Sequence, residues 1–387
     1  MSELVPLIDV LIPAYNAGRT IRSALDSIQN QTVRDIRVIV VDDGSTDDTA
    51  AVVGEIAAGD PRVELHCKNN GGIVDALNFG LQRCRAEYLA RFDGDDLSYP
   101  DRFARQIEFL RSNAEYVAVG GGVRHIDEDG RPIGSVVNVP SPELSDPTWV
   151  PSLEPYIIHP FLMARHADME AVGGYRHVFH AEDTDLYWRL QERGKLHNLQ
   201  DTLGDYRMHA SSVSSASVRN ARVSAAHSQL AGVSALRRRR GEPDLVFEKR
   251  FSAEFKDALS LQAVFALACR GLASAERDHF ELSLAAKMIE LASYRPFELE
   301  DADFSFIRSA LRRHYGLLSP ANQTVLDKRL CGSAARMAAE GSRRNAQALL
   351  QPRLYAGFLG RLAARKLIPR GLFHKARLLT GRATFYK

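Results

Sequence analysis

Residues 91–96 read Arg-Phe-Asp-Gly-Asp-Asp, and they directly follow the mostly apolar run of residues 87–90, Glu-Tyr-Leu-Ala. The apolar run predicts a buried β-strand, so three carboxylates gather where a strand ends and a loop begins. In open α/β sheets, ligands bind in the crevice beyond the carboxyl ends of the strands. Clustered carboxylates repel one another unless a cation lies among them, and hard divalent metals prefer such oxygen ligands. The stretch therefore predicts a loop that binds a metal and, through the metal, a diphosphate.

Strand and helix patterns alternate on both sides of this stretch. Apolar, largely β-branched runs at residues 8–12 and 36–41 predict buried parallel strands, and each is followed by apolar residues at helical spacing. Further strands are expected at residues 63–66, 117–123, 136–139 and 205–209. The alternation predicts an α/β fold in which helices sandwich a Rossmann-like, mostly parallel sheet.

The composition changes after about residue 211. Ala, Leu, Arg and Ser dominate from there, β-branched runs disappear, and apolar residues recur at helical spacing. We therefore predict two domains, a catalytic domain over residues 1–217 and an α-helical C-terminal domain over residues 218–387.

The last part of the chain is strongly basic. Residues 341–387 contain eleven Lys and Arg and no Asp or Glu, although the net charge of the whole chain is only +2. Leu and Phe alternate with these cations, a pattern typical of segments that lie on anionic membranes. A helical domain with a solvated basic face is the alternative. No aromatic platform or motif supports nucleic-acid binding, so we predict no nucleic-acid partner.

Composition and cysteine usage place the chain among ordinary globular proteins. It has 387 residues, of which 45% are hydrophobic and 25% are charged. The four cysteines form no CxxC pair and no metal-binding spacing with His, which favours a reducing compartment. The N-terminus lacks the pattern of a signal peptide. We predict a cytoplasmic protein, with the inner face of the cell membrane as a candidate peripheral location.

Acidic loops recur at three places. They are Asp42-Asp43, residues 93–96 and Glu182-Asp183, and in a parallel sheet the first two open on the same edge. Asp and Gly are common loop residues, so each loop alone needs no function. All three together, with Pro-Ala-Tyr-Asn at residues 13–16, indicate a site.

The order, spacing and strand context of these motifs resemble family-two glycosyltransferases of the GT-A fold. The matching stretches are residues 10–16 (VLIPAYN), 40–47 (VVDDGSTD), 93–96 (DGDD) and 182–183 (ED). A helix that precedes the acidic loop in the family is matched by Asn70, Gly71 and Gly72 followed by Ala76, Asn78 and Gly80. The resemblance covers roughly residues 5–215.

The resemblance implies a site for a nucleotide sugar. The residues it assigns to this site are Pro13, Tyr15, Asn16, Asp42, Asp43, Asn70, Gly72, Asn78, Asp93 and Glu182. Tyr15 would lie near the base. Asp43 would accept a hydrogen bond from uracil, and Asp42 is the less favoured of the two for that contact.

The resemblance also implies a metal and a general base. Asp95 would be the main metal ligand, and Asp93 would contact ribose or the metal. The family's late Tyr-Arg-x-His is matched by residues 206–209, so His209 would be a third metal ligand; a strand-end histidine without a ligand role is the alternative. Mn²⁺ or Mg²⁺ suits these ligands. Asp183 would be the general base. His159 carries no spacing that marks it, so we expect a structural role for it.

These roles describe one reaction. A divalent metal neutralises a departing diphosphate, and a carboxylate takes the proton of the attacking hydroxyl. Attack opposite the leaving group inverts the anomeric carbon. The sequence thus predicts an inverting, metal-dependent glycosyltransferase that moves a sugar, of the UDP-sugar class, to a glycan or lipid-linked acceptor in cell-surface polysaccharide biosynthesis.

Two alternatives stay open. A nucleotidyltransferase also uses acidic loops on an α/β sheet, but it would need a Gly-rich phosphate loop that residues 13–18 lack. A catalytically silent subunit that binds a glycan or nucleotide is the other alternative, and the presence of Asp93, Asp95 and Asp183 argues against it.

Overall fold

The structure, a computed structural model, describes residues 5–137, 139–209, 217–292, 297–339, 341–350 and 352–367. These residues form two compact units, each built from more than one segment of the chain. Unit 1 contains the described residues of segments 1–144, 155–176 and 182–209, and unit 2 those of segments 145–154, 177–181 and 210–387. The division of function at residue 217 stays a prediction.

Unit 1 holds the sheet and six helices among its described residues. The strands are β1 (Ile8–Ala14), β2 (Ile36–Asp42), β3 (Val63–Cys67), β4 (Tyr88–Arg91), β5 (Leu97–Ser98), β6 (Tyr116–Ile126), β7 (Pro132–Val137), β8 (Met163–Arg165) and β9 (Lys195–Arg207). The helices are α1 (Ile21–Gln29), α2 (Thr49–Gly59), α3 (Ile73–Leu81), α4 (Arg102–Ser112), α5 (His166–Ala171) and α6 (Glu182–Leu190).

The nine strands form one sheet in the order β3-β2-β1-β4-β8-β6-β9-β5, with β7 paired to β6. Strands β1 to β4 pair in parallel, as do β6 and β9, while β8, β7 and β5 pair antiparallel to their neighbours. In register, Ala14 lies opposite Asp42, and Leu11 lies opposite Arg91. The carboxyl ends of β1, β2 and β4 therefore meet at one edge, as the sequence predicts.

Helices cover both faces of this sheet. Apolar residues of α1, α2 and α4 pack on one face, and those of α3, α5 and α6 pack on the other. Every residue of β1 is buried because a central parallel strand is covered on both sides. The predicted fold class, a Rossmann-like, mostly parallel sheet between helices with a helical C-terminal region, is confirmed.

Several strands differ from the prediction: β5 and β8 were not expected, β7 begins earlier than expected, and β1 and β9 are longer. β1 continues through Ala14, so Pro13 lies buried inside the strand and not in the loop after it. Proline is tolerated there because the pairing with β4 ends at Leu11. β9 has 13 residues, where only a short strand at 205–209 was expected. Its pairing with β6 contains register shifts, which interrupt the alternation that would have marked a long strand.

Unit 2 is helical in its described part. Its helices are α7 (Val218–Arg239), α8 (Phe251–Asp257), α9 (Leu261–Ala268), α10 (Ser274–Ala292), α11 (Asp301–His314), α12 (Pro320–Ala339), α13 (Arg343–Leu349) and α14 (Tyr355–Leu367). None of the helices in the described ranges has the length and apolar character needed to cross a membrane. Of the basic tail at 341–387, residues 368–387 lie outside the described residues.

Two short segments from the first half of the chain, residues 145–154 and 177–181, belong to this helical unit, and the first is well anchored in it. Val150 is buried in its apolar core, and the main-chain N–H of Ser152 donates to Oε1 of Gln229 at 2.9 Å. Lys287 Nζ donates to Glu154 Oε2 at 2.9 Å. The helical unit is therefore complete only with residues 145–154.

Candidate active site

The loop after β4 brings three carboxylates together. One oxygen from each of Asp93, Asp95 and Asp96 lies within 4.8 Å of the others. Asp96 is buried, and its Oδ1 accepts from the main-chain N–H of Arg207 at 2.8 Å. Its Oδ2 is also buried and has no hydrogen-bond partner among the described residues. The loop therefore offers a close set of oxygen ligands, one of them unused by the protein.

The electrostatics of the loop favour a cation. Burial raises the pKa of Asp93, the adjacent Asp95 raises it further, and the guanidinium of Arg91 opposes both effects. Burial and the same two neighbouring carboxylates hold the pKa of Asp96 well above its usual value. A hard divalent ion would remove this repulsion, and carboxylates are the ligands that Mg²⁺ and Mn²⁺ prefer. The donor set therefore fits such a metal.

His209 lies beside this loop. Its Nε2 is 2.9 Å from Asp95 Oδ2, just beyond the end of β9. The structure thus brings together the three predicted metal ligands, Asp93, Asp95 and His209. Asp96, which belongs to the predicted metal-binding loop but was not assigned as a ligand, is a further candidate.

Arg207 fastens the acidic loop to its surroundings. The side chain is nearly buried; its Nε donates to the Asp95 carbonyl at 2.7 Å, and its Nη1 donates to the carbonyls of Asp127 and Glu128 at 3.0 Å. The carbonyls of Asp127 and Glu128 belong to the turn between β6 and β7. One guanidinium thus joins the main chain at Asp95 to the turn between β6 and β7.

The second acidic group lies at the start of α6. Burial and the neighbouring Asp183 raise the pKa of Glu182 to about 7, although Arg91 acts in the opposite direction. Asp183 Oδ1 accepts from the main-chain N–H of Thr184 at 2.7 Å. Asp185 differs from both, because it is fully buried and pairs with Arg176 and Arg189. Asp185 therefore anchors the helix, which leaves Glu182 and Asp183 for chemistry.

Asp43 holds a neighbouring turn in place. Its Oδ1 accepts from the Gly71 N–H at 2.9 Å and from Lys68 Nζ at 2.5 Å, and its Oδ2 accepts from the Gly72 N–H at 2.7 Å. Asp42 accepts from the N–H of Ser45 at 3.1 Å and from its hydroxyl. Most of the hydrogen-bonding capacity of Asp43 is thus used within the chain, and its predicted contact with uracil stays a prediction.

Of the residues predicted to contact the nucleotide sugar, four are exposed, namely Tyr15, Asn16, Asn70 and Gly72. Tyr15 is 54% exposed, so its ring is accessible to a flat base. Gly72, with φ of 90°, precedes α3 in a conformation that favours glycine. These positions are compatible with the predicted nucleotide contacts.

Asn16 and Asn78 hold main-chain segments. Asn16 Oδ1 accepts from the Thr46 N–H at 2.8 Å, which joins the loops after β1 and β2. The side-chain amide of Asn78 donates to the Tyr175 carbonyl at 2.8 Å and accepts from its N–H at 2.9 Å. Both asparagines therefore shape the site, and their predicted contacts with a nucleotide sugar stay predictions.

Sequence patterns predicted no chemical role for a group of largely buried polar side chains near Asp93 and Asp183. Arg91 forms an ion pair with Asp93 at 2.5 Å. His159 Nε2 lies 2.9 Å from the Tyr175 hydroxyl, and its ring packs edge-on to Tyr187. The sequence marked only Arg91 of this group, as a charged residue at the end of an apolar strand, two positions before Asp93.

Comparison with known proteins identifies relatives over the first half of the chain. The model of the family "Glycosyl transferase family 2" matches residues 9–173. The putative glycosyltransferase EpsE of Bacillus subtilis is 33% identical over 204 residues, which cover 51% of this chain and 72% of that protein.

Two larger synthases match over a similar stretch. Chondroitin synthase of Escherichia coli is 33% identical over 191 residues, and hyaluronan synthase of Pasteurella multocida is 32% identical over 196 residues. These matches cover 49% and 50% of this chain, but only 27% and 20% of the synthases. The chain thus spans about a quarter of the length of these two relatives.

Among solved structures, a mannosyltransferase of Pyrobaculum calidifontis in complex with GDP-Man and Mn²⁺ is 18% identical, with a TM-score of 0.49. That match covers 94% of this chain and 87% of the mannosyltransferase chain. At this identity and score, the likeness carries no information about the donor, the metal or the acceptor of this chain.

Proposed function

Because the chain belongs to glycosyl transferase family 2 and is therefore a glycosyltransferase, we propose that it moves a sugar from a UDP-sugar to a hydroxyl group of a glycan or lipid-linked acceptor. The proposed reaction inverts the anomeric carbon and uses a divalent metal. The observation that carries the proposal is the close set of carboxylates of Asp93, Asp95 and Asp96, with His209 beside it, at the edge where β1, β2 and β4 end.

Asp93, Asp95 and His209 would hold the metal, with Asp96 available as a further ligand. Mn²⁺ or Mg²⁺ bound there would neutralise the charge that develops on the departing diphosphate. The protein contributes a preformed cluster of carboxylates, held by Arg207 and by the ion pair of Arg91 with Asp93. Such fixed ligands need little rearrangement when the donor binds.

The nucleotide would lie along the carboxyl ends of β1 and β2. Tyr15 offers its exposed ring to the base, and the turn at residues 69–72, held by Asp43, forms the adjoining wall. Pro13 lies buried beneath the loop that carries Tyr15 and supports it from within β1. In this arrangement Asp42 and Asp43 are the polar groups nearest to the base.

Asp183 would act as the general base. The acceptor oxygen attacks the anomeric carbon while the bond from that carbon to the phosphate oxygen breaks, and the acceptor proton passes to Asp183. The nucleotide diphosphate leaves on the opposite side, which inverts the configuration. Glu182, whose pKa is raised to about 7, would contact the donor in its protonated or ionised form depending on pH.

The acceptor and the cellular role are inferred from the named relatives and from the basic segment at residues 341–387. Relatives named for chondroitin and hyaluronan synthesis support a role in cell-surface polysaccharide biosynthesis. A cytoplasmic location, with residues 341–387 against the anionic inner face of the membrane, would suit a lipid-linked acceptor. In this proposal residues 1–217 carry out catalysis, and residues 218–387 serve the acceptor or the membrane.

The test is a panel of nucleotide sugars scored for Mn²⁺-dependent release of the nucleotide, with and without candidate glycan acceptors. We expect one UDP-sugar to give release. Replacing Asp183 with Asn should abolish transfer yet preserve nucleotide binding, while Asp129→Asn, at an exposed turn, should leave both unchanged. Transfer by Asp183→Asn at the wild-type rate would overturn the assignment of the base. Failure of every donor would overturn the proposed function.

A further inference from the structure

Arg91 is the last residue of β4, and its side chain lies on the same face of the sheet as that of Leu89, toward α3 and α6. The side chain is only 5% exposed. One guanidinium nitrogen, Nη2, lies 2.5 Å from Asp93 Oδ1. The other two, Nε and Nη1, are buried and have no hydrogen-bond partner among the residues that the structure describes.

A second group with unused hydrogen-bonding capacity lies nearby. The Tyr187 hydroxyl is fully buried and likewise lacks a partner within the described ranges. Tyr187 follows Asp183 by one turn of α6, so the two side chains share a face of that helix. Asp183 raises the pKa of Tyr187 and Arg91 lowers it, which places the hydroxyl in the field of both groups.

Buried polar groups are nearly always hydrogen-bonded, because leaving one unpaired costs about 1–3 kcal/mol. Here two nitrogens of one guanidinium and a phenol hydroxyl, near the carboxylates of the site, have no hydrogen-bond partner in the described part of the chain. Buried donors without protein partners, grouped in this way, suit a ligand that supplies the acceptors.

We infer that Arg91, with Tyr187 beside it, binds hydroxyl groups of the sugar that is being transferred. The inference rests on the proposed function. In an in-line displacement the sugar lies between the leaving diphosphate and the base. Arg91 touches Asp93 on the diphosphate side and acts electrostatically on Glu182 on the side of the base. Its guanidinium thus lies against the acidic loop, where the sugar of a metal-bound donor would lie.

The charge of Arg91 favours a hydroxyl over a second phosphate. Asp93 already balances the positive charge of the guanidinium. The remaining N–H groups are therefore suited to uncharged oxygen acceptors, which a sugar ring offers at several positions. Because an arginine donates from several fixed directions, it can also distinguish sugars by the orientation of their hydroxyl groups.

The experiment compares the affinity for UDP with the affinity for a UDP-sugar, because UDP lacks the group that Arg91 would contact. Isothermal titration in Mn²⁺ would use UDP, UDP-glucose, UDP-N-acetylglucosamine and UDP-glucuronate with the wild-type protein. The tightest of these sugars would then be tested on Arg91→Met and Arg91→Lys. Arg91→Lys keeps a positive charge beside Asp93 but loses the forked donors.

We expect Arg91→Lys to bind the UDP-sugar about tenfold or more weakly while it binds UDP as the wild type does, because it keeps a charge beside Asp93. Arg91→Met also loses the ion pair with Asp93, so it should weaken UDP as well and the UDP-sugar further. Tyr187→Phe should bind the UDP-sugar a few-fold more weakly, because it lacks only one neutral hydrogen bond. A matched control is Arg37→Lys, which alters another largely buried arginine–aspartate pair, with Asp9, near the opposite ends of the strands. It should change neither affinity.

A parallel loss of UDP and UDP-sugar affinity in Arg91→Lys would overturn the inference, because it would show that Arg91 only positions Asp93. Unchanged affinities in both Arg91 variants would overturn it as well. If wild-type protein binds none of the UDP compounds, the proposed function fails first and the inference fails with it. Thermal unfolding of each variant identifies any that do not fold, and Arg91→Lys preserves the ion pair for that purpose.

Discussion

Replacing Arg207 with Met should weaken both the fold of unit 1 and the metal site. The change removes hydrogen bonds to the carbonyls of Asp95, Asp127 and Glu128 from a side chain that is nearly buried. A hydrogen bond to a charged group contributes about 1.5–3 kcal/mol, and water can reach some of the freed carbonyls. We therefore expect the free energy of unfolding to fall by about 3 kcal/mol. Mn²⁺ affinity should fall roughly tenfold or more, as when an outer partner of a metal ligand is lost.

The control is Arg124→Met on the neighbouring strand. Arg124 forms an ion pair with Asp205, but its side chain is 39% exposed, so we expect a loss of at most about 1 kcal/mol. The chain has two tryptophans, Trp149 in unit 2 and Trp188 in unit 1. In a Trp149→Phe background, urea unfolding followed by fluorescence reports unit 1 through the buried Trp188.

Mn²⁺ binding would be measured without donor, by the electron paramagnetic resonance signal of the free ion. Equal destabilisation in Arg207→Met and Arg124→Met, with unchanged Mn²⁺ affinity in both, would refute the reasoning. Destabilisation without any loss of Mn²⁺ affinity would show that Arg207 supports the fold but not the ligands.

Two further predictions concern buried carboxylates of unit 1. Glu182 has a pKa of about 7 in the folded protein against its ordinary 4.5, so the unfolded chain releases this proton at lower pH than the folded chain. Without metal, stability should therefore decrease as pH rises from about 4.5 to 7, by at most about 3 kcal/mol. Urea unfolding at several pH values should show a larger decrease in wild type than in Glu182→Gln, in which Asp93 and Asp96 still contribute, and equal profiles would contradict it. Asp9 is fully buried and accepts from Nε and Nη2 of Arg37 at 2.8 and 3.0 Å and from the N–H groups of Arg85 and Ala86. Asp9→Asn leaves the guanidinium unbalanced and should cost about 3–5 kcal/mol in urea unfolding, whereas a loss below about 1 kcal/mol would show that the pair is not needed.

The sequence was sufficient for those parts of unit 1 that depend on local pattern. The buried runs of β1 and β2 are apolar because both of their faces are covered, so they could be read without a structure. The edge shared by Asp42 and Asp93 then followed from parallel pairing alone. β9 was underestimated because its register shifts disturb the alternation of side chains.

Contacts between distant segments could not be predicted in this way. Asn78 holds the main chain of Tyr175, 97 residues later, and Asn16 holds that of Thr46. Both are polar loop or helix residues whose sequence neighbourhood suggests exposure to a ligand. Arg91 was visible as a charge at the end of an apolar strand, but only the folded chain reveals which of its nitrogens are unpaired.

The interleaving of the two units has a consequence for synthesis on the ribosome. Residues 145–154 leave the ribosome well before the helices that they pack with, since Ser152 and Glu154 bind Gln229 and Lys287. Val150 likewise cannot be buried until the core of unit 2 has formed. Unit 1 in turn needs residues up to 209 before its sheet is complete. A released chain that ends near residue 217 would thus contain all of the sheet but two orphaned segments. For the same reason the helical part is poorly suited to exchange between enzymes as a simple C-terminal module.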